Sequence, residues 1–157
     1  MAQLRQNDST SAKALTFTIL TAARTGEVTG AGWAEIDLEQ KVWTIPPERM
    51  KASREHRVPL SEAAVALLRS LPHEGNYLFP GPRSGKGLSN MSMLQLLRGI
   101  RDDGATVHGF RSSFRDWAAD QTDVPREVVE ACLALMRSVT APSWLTSART
   151  SSRSDAR

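Results

Sequence analysis

Val42-Trp43-Thr44-Ile45-Pro46-Pro47-Glu48-Arg49-Met50-Lys51-Ala52-Ser53-Arg54-Glu55-His56-Arg57-Val58-Pro59-Leu60 is the stretch on which the fold turns. Two short apolar runs, Val42–Ile45 and Arg57–Leu60, flank a polar connection that Pro46-Pro47 opens, which is the pattern of two strands and their link. Pro59 cannot donate to a central ladder, so its strand belongs at an edge. A further run, Trp33–Leu38, precedes them across the turn Glu39-Gln40-Lys41. A small three-stranded antiparallel sheet is therefore expected. Lys51 stands in its basic connection, where most lysines are simply solvated.

On both sides of this sheet the spacing is helical. Upstream, Ala12, Leu15, Ile19 and Ala23 recur along a helix from Asp8 to about Ala23, with Asp8, Ser9 or Thr10 as its cap and Phe17 and Leu20 widening the apolar face. Thr25-Gly26 and Gly30-Ala31-Gly32 break it. Downstream, Ser61 caps a helix reaching Leu71, and the Gly- and Pro-rich Pro72–Leu88 reads as loop. Further helices are expected from Ser89 or Asn90 through Ile100, from His108 to Ala119, and from Pro125 to Met136. The fold class is mainly α with a small three-stranded antiparallel β-sheet. Residues 1–137 form one domain. Ser138–Arg157, rich in Ser and Thr without apolar period, reads as a disordered tail.

The chain's 157 residues, 40% hydrophobic and 24% charged, suit one soluble core. No apolar run approaches a membrane span, and a cytoplasmic location with no membrane partner is expected. A single cysteine, Cys132, excludes a disulfide framework and Cys-rich zinc sites. His56, His73, His108 and Cys132 share no ligand spacing, so neither metal nor cofactor is expected. Net charge is +3, but the last twenty residues hold three arginines against one aspartate, leaving residues 1–137 at +1. Global charge therefore says little about nucleic acid. Any such case rests on particular arginines, whose planar fork grips two phosphate oxygens at once.

Two segments carry chemistry. In Val107-His108-Gly109-Phe110-Arg111-Ser112-Ser113-Phe114-Arg115-Asp116-Trp117, helical rotation places Phe110, Phe114 and Trp117 within an arc of about 60°, the expected core face. His108, Arg111 and Arg115 share a second arc of about 60° on the far side. A histidine and an arginine at a helix N-terminus make an anion site, since exposed N–H groups, the helix dipole and the guanidinium converge. The plainer reading is a solvated helix face. In Thr21-Ala22-Ala23-Arg24-Thr25-Gly26-Glu27-Val28, an arginine closing an apolar helix has a carboxylate three residues on, which suggests a guanidinium held in place by Glu27. The plainer reading is an arginine at a helix C-terminus.

Together, Arg24 with Glu27, Lys51 in a strand connection and His108-x-x-Arg111 on a later helix resemble the tyrosine recombinase family of phage-integrase type. The order, the helix–sheet–helix context and the wording TAARTGEV, WTIPPERMKASREHRVPL and HGFR carry the resemblance, from residue 12 to about 135. It covers only the family's C-terminal catalytic domain and implies a site-specific recombinase acting on DNA in prophage integration. In that family a tyrosine attacks a phosphodiester, leaving a 3′-phosphotyrosyl link and a 5′-hydroxyl. The resemblance implies that Arg24 and Arg111 clamp the non-bridging oxygens, Glu27 orients Arg24, Lys51 protonates the leaving oxygen and His108 assists proton transfer. Family members assemble as tetramers on DNA; this fragment is not expected to.

The chain departs from the family at its end. Where a second histidine is expected stands Leu135, and no tyrosine follows Tyr77, which reads as core. Shifted by one base, a permissible coding of Met136–Thr146 reads His-Ala-Leu-Gly-Asn-Arg-Thr-Glu-Leu-Ala-Tyr, so a frame slip would account for the departure. The expectation is an integrase fragment truncated at both ends, without a nucleophile and inactive alone. The alternatives are a non-catalytic DNA- or phosphate-binding module using the same arginines, and a metal-independent phosphodiesterase with His108 as nucleophile.

Overall fold

In the computed structural model, which describes residues 2–50, 53–101 and 103–133, a one-turn helix α1 (Ala2–Arg5) leads to Ser9, whose hydroxyl accepts the Ala12 N–H and starts α2 (Thr10–Thr21). Ala12, Ala14, Leu15, Phe17 and Thr18 of α2 are all buried. A helix enclosed on several sides must be apolar around most of its circumference. The buried Thr18 satisfies its hydroxyl on the Ala14 carbonyl (2.8 Å) and beside the Met93 sulfur (3.3 Å). Ala22, with φ of 50°, turns the chain out of α2 and directly into the short helix α3 (Thr25–Thr29).

The expected sheet is present, with β1 (Ile36–Asp37), β2 (Val42–Ile45) and β3 (His56–Pro59) antiparallel in that spatial order. Val42 faces Pro59 and Ile45 faces His56, with β3 at the edge where Pro59 removes no ladder donor from a central strand. Trp33–Glu35 is a 3₁₀ turn rather than strand, so β1 is shorter than the apolar run suggested. Trp33 stacks on His73 instead, with ring centroids 4.2 Å apart. Trp43 and Ile45 point into the core, where Phe17 lies 5.3 Å from the Trp43 ring and 5.7 Å from Phe79. That aromatic trio fastens α2, the sheet and the long loop to one another. The loop also pairs Tyr77 with Gly32 and Pro80 with Gly87. Gly87 is required there, because a Cβ would collide with the Thr29 carbonyl oxygen. Tyr77 is half-buried, as its reading as a packing residue requires.

Four further helices complete the described residues. Ser61 caps α4 (Glu62–Arg69), α5 is Ser92–Ile100, Thr106 caps α6 (Val107–Gln121) and α7 is Arg126–Cys132. Helices α1, α3, α4, α5 and α6 all pack against α2, and α7 packs against α6. Pro125 is the N-cap of α7 rather than its first residue. The proposed continuation of this helix to Met136, Leu135 and the 138–157 tail lie outside the described residues.

The orientation of α6 reverses the expectation. The helix buries Val107, Arg111 and Ala118, whereas Phe114 is 38% and Trp117 54% exposed, the two rings leaning on each other with centroids 6.0 Å apart. Only Phe110 of the three aromatics is partly buried against the main core. The reason is the partner surface. The end of α2 offers a carbonyl without a helical partner, that of Ala22, and Arg111 Nη1 donates to it. Beside that anchor, Ala118 packs with Ala22, Val129 and Leu133 in a small second cluster. Among the described residues no helix is long and apolar enough to cross a membrane.

Candidate functional site

Arg24 owes its position to a change of helix. It is the N-cap of α3 rather than the last residue of α2, with extended backbone (φ −79°, ψ 150°) that swings its side chain away from the α2 axis. Glu27, the third residue of α3, reaches back to it twice. Its Oε2 accepts the Arg24 backbone N–H at 2.8 Å, and its Oε1 accepts Nη1 at 2.6 Å. The first bond closes a helix cap and the second fixes the guanidinium, so Glu27 orients Arg24 through backbone and side chain together. Glu27 is 6% exposed, yet both contacts are charge-assisted, and a buried carboxylate needs such partners.

Arg111 enters from the other side. Its residue is 5% exposed, and Nη1 is committed to the Ala22 carbonyl. Nε and Nη2 are buried and have no hydrogen-bond partner among the described residues. Burial, and after it the charge of Arg24, pulls its pKa down to about 10, with Glu27 pulling the other way. The two guanidiniums, distant in sequence, thus feel each other's charge across one small space. A half-buried imidazole, that of His56 on β3, lies in the same field.

His108 and Arg115 lie on the solvent side of the cluster. Both are exposed, and with Arg111 and Ser112 they line a shallow hollow at the α6 N-terminus. Arg115 leans 3.4 Å from Asp116. Arg24, Glu27, Arg111 and His108 therefore belong to one region. Lys51 lies outside the described residues. Arg49, two residues before it, bridges Glu35 and the Glu27 carbonyl and so ties the end of the sheet to α3. Sequence reasoning passed over His56, although an imidazole at the head of an edge strand, inward in the alternation with Val58, was the signal available. Among the described residues no group of three His, Cys, Asp or Glu could hold a metal ion.

A buried guanidinium with two unpartnered donor nitrogens, that of Arg111, and a partly exposed one held by a buried carboxylate, that of Arg24, are groups whose chemistry suits an oxyanion rather than a cation or an apolar ligand. Residues 1–135 match the model of the phage integrase family. The prophage integrase IntA of Escherichia coli K12 is 35% identical over 121 residues, 74% of this chain and 29% of that protein. IntZ of the same organism is 42% identical over 105 residues, 64% of this chain and 26% of that one. The integrase of Enterobacteria phage P4 is 33% identical over 121 residues, covering 65% of this chain and 28% of that protein. The chain thus spans under a third of these relatives. In fold it is similar to XerA recombinase (TM-score 0.68, 16% identity, 98% of this chain and 60% of that one). It is likewise similar to the Tn1549 transposon integrase solved with transposon right end DNA (TM-score 0.60, 13% identity, 78% of this chain and 50% of that one). With the family model matched over most of its length and these folds as its neighbours, the chain belongs to the phage integrase family and has the fold of a tyrosine recombinase catalytic domain.

Proposed function

We propose that the chain is the DNA-binding remainder of a site-specific recombinase catalytic domain, in which Arg24 and Arg111 grip the non-bridging oxygens of one backbone phosphate. The observation that supports this best is the buried Arg111, whose Nε and Nη2 have no partner among the described residues while Arg24 and Glu27 stand beside it. A phosphodiester oxygen accepts from just such donors, and it neutralises the like-charge repulsion of the pair. Glu27 keeps Arg24 aimed. In the family's reaction, exposed His108 would assist proton transfer at the rim and Lys51 would protonate a leaving 5′-oxygen. With no tyrosine after Tyr77, this sequence has no residue for the family's covalent step, so it holds a phosphate without cleaving it. A frame slip near Met136 would account for that departure, and genomic sequence around the Met136 codon tests it.

The test uses a duplex and a suicide substrate. Expected are weak, salt-sensitive binding, no covalent protein–DNA adduct, and loss of binding in Arg111→Ala. Restoring the shifted reading frame after Leu135 should revive adduct formation; in a non-catalytic binding module it would not. An adduct formed by the chain as it stands, or undiminished binding by Arg111→Ala, overturns the proposal.

A further inference from the structure

Glu27 is held from both ends, and only one of them belongs to the proposed phosphate grip. Its carboxylate takes the Arg24 backbone N–H and guanidinium, while its backbone carbonyl accepts Arg49 Nη2. That carbonyl is open because α3 is short: the Ala31 N–H, its helical partner by spacing, goes to the Val28 carbonyl instead. A guanidinium at the carboxyl end of a helix meets both the open oxygen and the dipole. Arg49 is itself anchored. It closes the 3₁₀ turn Pro47–Arg49 after β2, and its Nη1 pairs with Glu35 Oε1. Glu35 Oε2 accepts the Trp43 indole N–H at 2.9 Å, and Trp43 is one of the aromatic trio in the core. The ion pair is largely enclosed, with the Arg49 and Glu35 side chains 23% and 14% exposed. Core, Glu35, Arg49 and the α3 backbone thus form one continuous strut, which ends on the residue that aims Arg24.

We propose, resting on the phosphate-binding reading above, that Glu35 and Arg49 are positioning residues, which direct Arg24 toward a DNA phosphate by fixing the Glu27 backbone. Stability alone is a weak account of such a strut. An enclosed ion pair adds little net stability, because desolvation offsets its attraction. It does fix geometry, since the planar guanidinium commits one nitrogen to each partner and holds both in a single arrangement. With 5 residues, α3 is too short to keep its own shape and direction without such packing. When the strut is loosened, α3 shifts against the sheet and the Arg24 guanidinium moves with Glu27. At metal sites, removing the group behind a ligand lowers affinity about 10- to 100-fold. The lower end is expected here, because Arg24 retains its own bonds to Glu27. Gly30 offers a way to loosen the strut without changing any charge: a Cβ there lies 2.9 Å from Arg49 Nη2, the nitrogen that holds the Glu27 carbonyl.

The experiment titrates a labelled duplex with the 157-residue chain by fluorescence anisotropy over roughly 50 to 300 mM salt, at a temperature where circular dichroism shows each variant folded. Two variants loosen the strut and keep every arginine. In Glu35→Gln the amide oxygen still accepts the Trp43 N–H, while the amide nitrogen meets Arg49 as donor against donor. In Gly30→Ala the new methyl displaces Nη2 from the Glu27 carbonyl. Each should weaken binding about tenfold and flatten the plot of log affinity against log salt by up to about one phosphate contact. Added to Arg24→Ala, each should change affinity by less than about twofold, because its effect passes through Arg24. Binding by both variants within about twofold of the parent overturns the proposal. So does a loss that persists in the Arg24→Ala background, which marks a general loosening of the fold. Tighter binding by Glu35→Gln also overturns it, since the released Arg49 is then gripping DNA itself. In those cases the phosphate grip stands as long as Arg24→Ala and Arg111→Ala weaken binding; if neither does, the grip falls and the proposal with it. Should Glu35→Gln not fold, Gly30→Ala decides by the same criteria.

Discussion

Replacing Arg111 by methionine keeps most of the length and volume of the side chain while removing its charge and its donors. The magnitude follows from the structure. Lowering a guanidinium's pKa to about 10 means that burial and Arg24 disfavour its charged form by about 3 kcal/mol, at 1.36 kcal/mol per pKa unit. The unpartnered Nε and Nη2 are part of that same penalty and are not added to it. Against the relief stands the lost bond to the Ala22 carbonyl, about 2 kcal/mol for a charged donor. The difference is a gain of about 1 kcal/mol, in keeping with the tolerance of buried charged groups to apolar replacement. Glu27 keeps its contacts with Arg24 and is not stranded.

Urea unfolding followed by circular dichroism measures this directly. With a slope of about 2 kcal/mol per molar, the midpoint should rise by about 0.5 M while duplex binding is lost. The pH dependence supplies an independent check. Because the folded-state pKa lies below the unfolded one, the penalty is fully present at neutral pH and is relieved as pH climbs through about 10. The advantage of Arg111→Met should therefore be constant from pH 6 to 9 and shrink above 10. A midpoint lower than that of the parent would refute the reasoning, since it would make Arg111 a structural tie rather than a strained, ligand-directed group.

Glu27→Ala removes two charge-assisted bonds from a carboxylate that is almost fully buried, and should cost about 2–3 kcal/mol in urea unfolding. The lower end of the range for buried pairs applies because the Arg24 side chain is 33% exposed and can be hydrated; a loss under about 0.5 kcal/mol would contradict the cap. Phe17→Ala opens a cavity beneath both Trp43 and Phe79 and should cost about 3–5 kcal/mol, lowering Tm by roughly 10 °C. A loss near 1 kcal/mol would mean that the aromatic trio is not the fastening between α2 and the sheet.

The sheet was legible because its signals are local. Pro46-Pro47 stops β2, Pro59 can stand only at an edge, and period-two alternation needs no knowledge of what packs on it. The capped helices were legible for the same reason, with Ser9 and Ser61 each accepting the N–H three residues on. The α2–α3 boundary was not. Arg24 read as the end of a helix because the left-handed Ala22 gives no sequence signal of the kind that glycine does, so the new helix beginning one residue after Arg24 went unseen. The Arg24–Glu27 pairing survived this error, since an arginine and a glutamate three apart meet in either geometry.

The inversion of α6 has a deeper cause. Periodicity assigns a helix face by assuming that aromatic groups go in and charged groups stay out, which holds when burial is driven by transfer free energy alone. On α6 the inward position is set by a polar demand, the open carbonyl at the end of α2, and Arg111 meets it at the cost of its own solvation. Phe114 and Trp117 are displaced to the surface because the helix cannot present both faces to α2. That α6 buries Arg111 while Phe114 and Trp117 stay exposed is an orientation that periodicity alone does not read, and it supports the phosphate-binding proposal above.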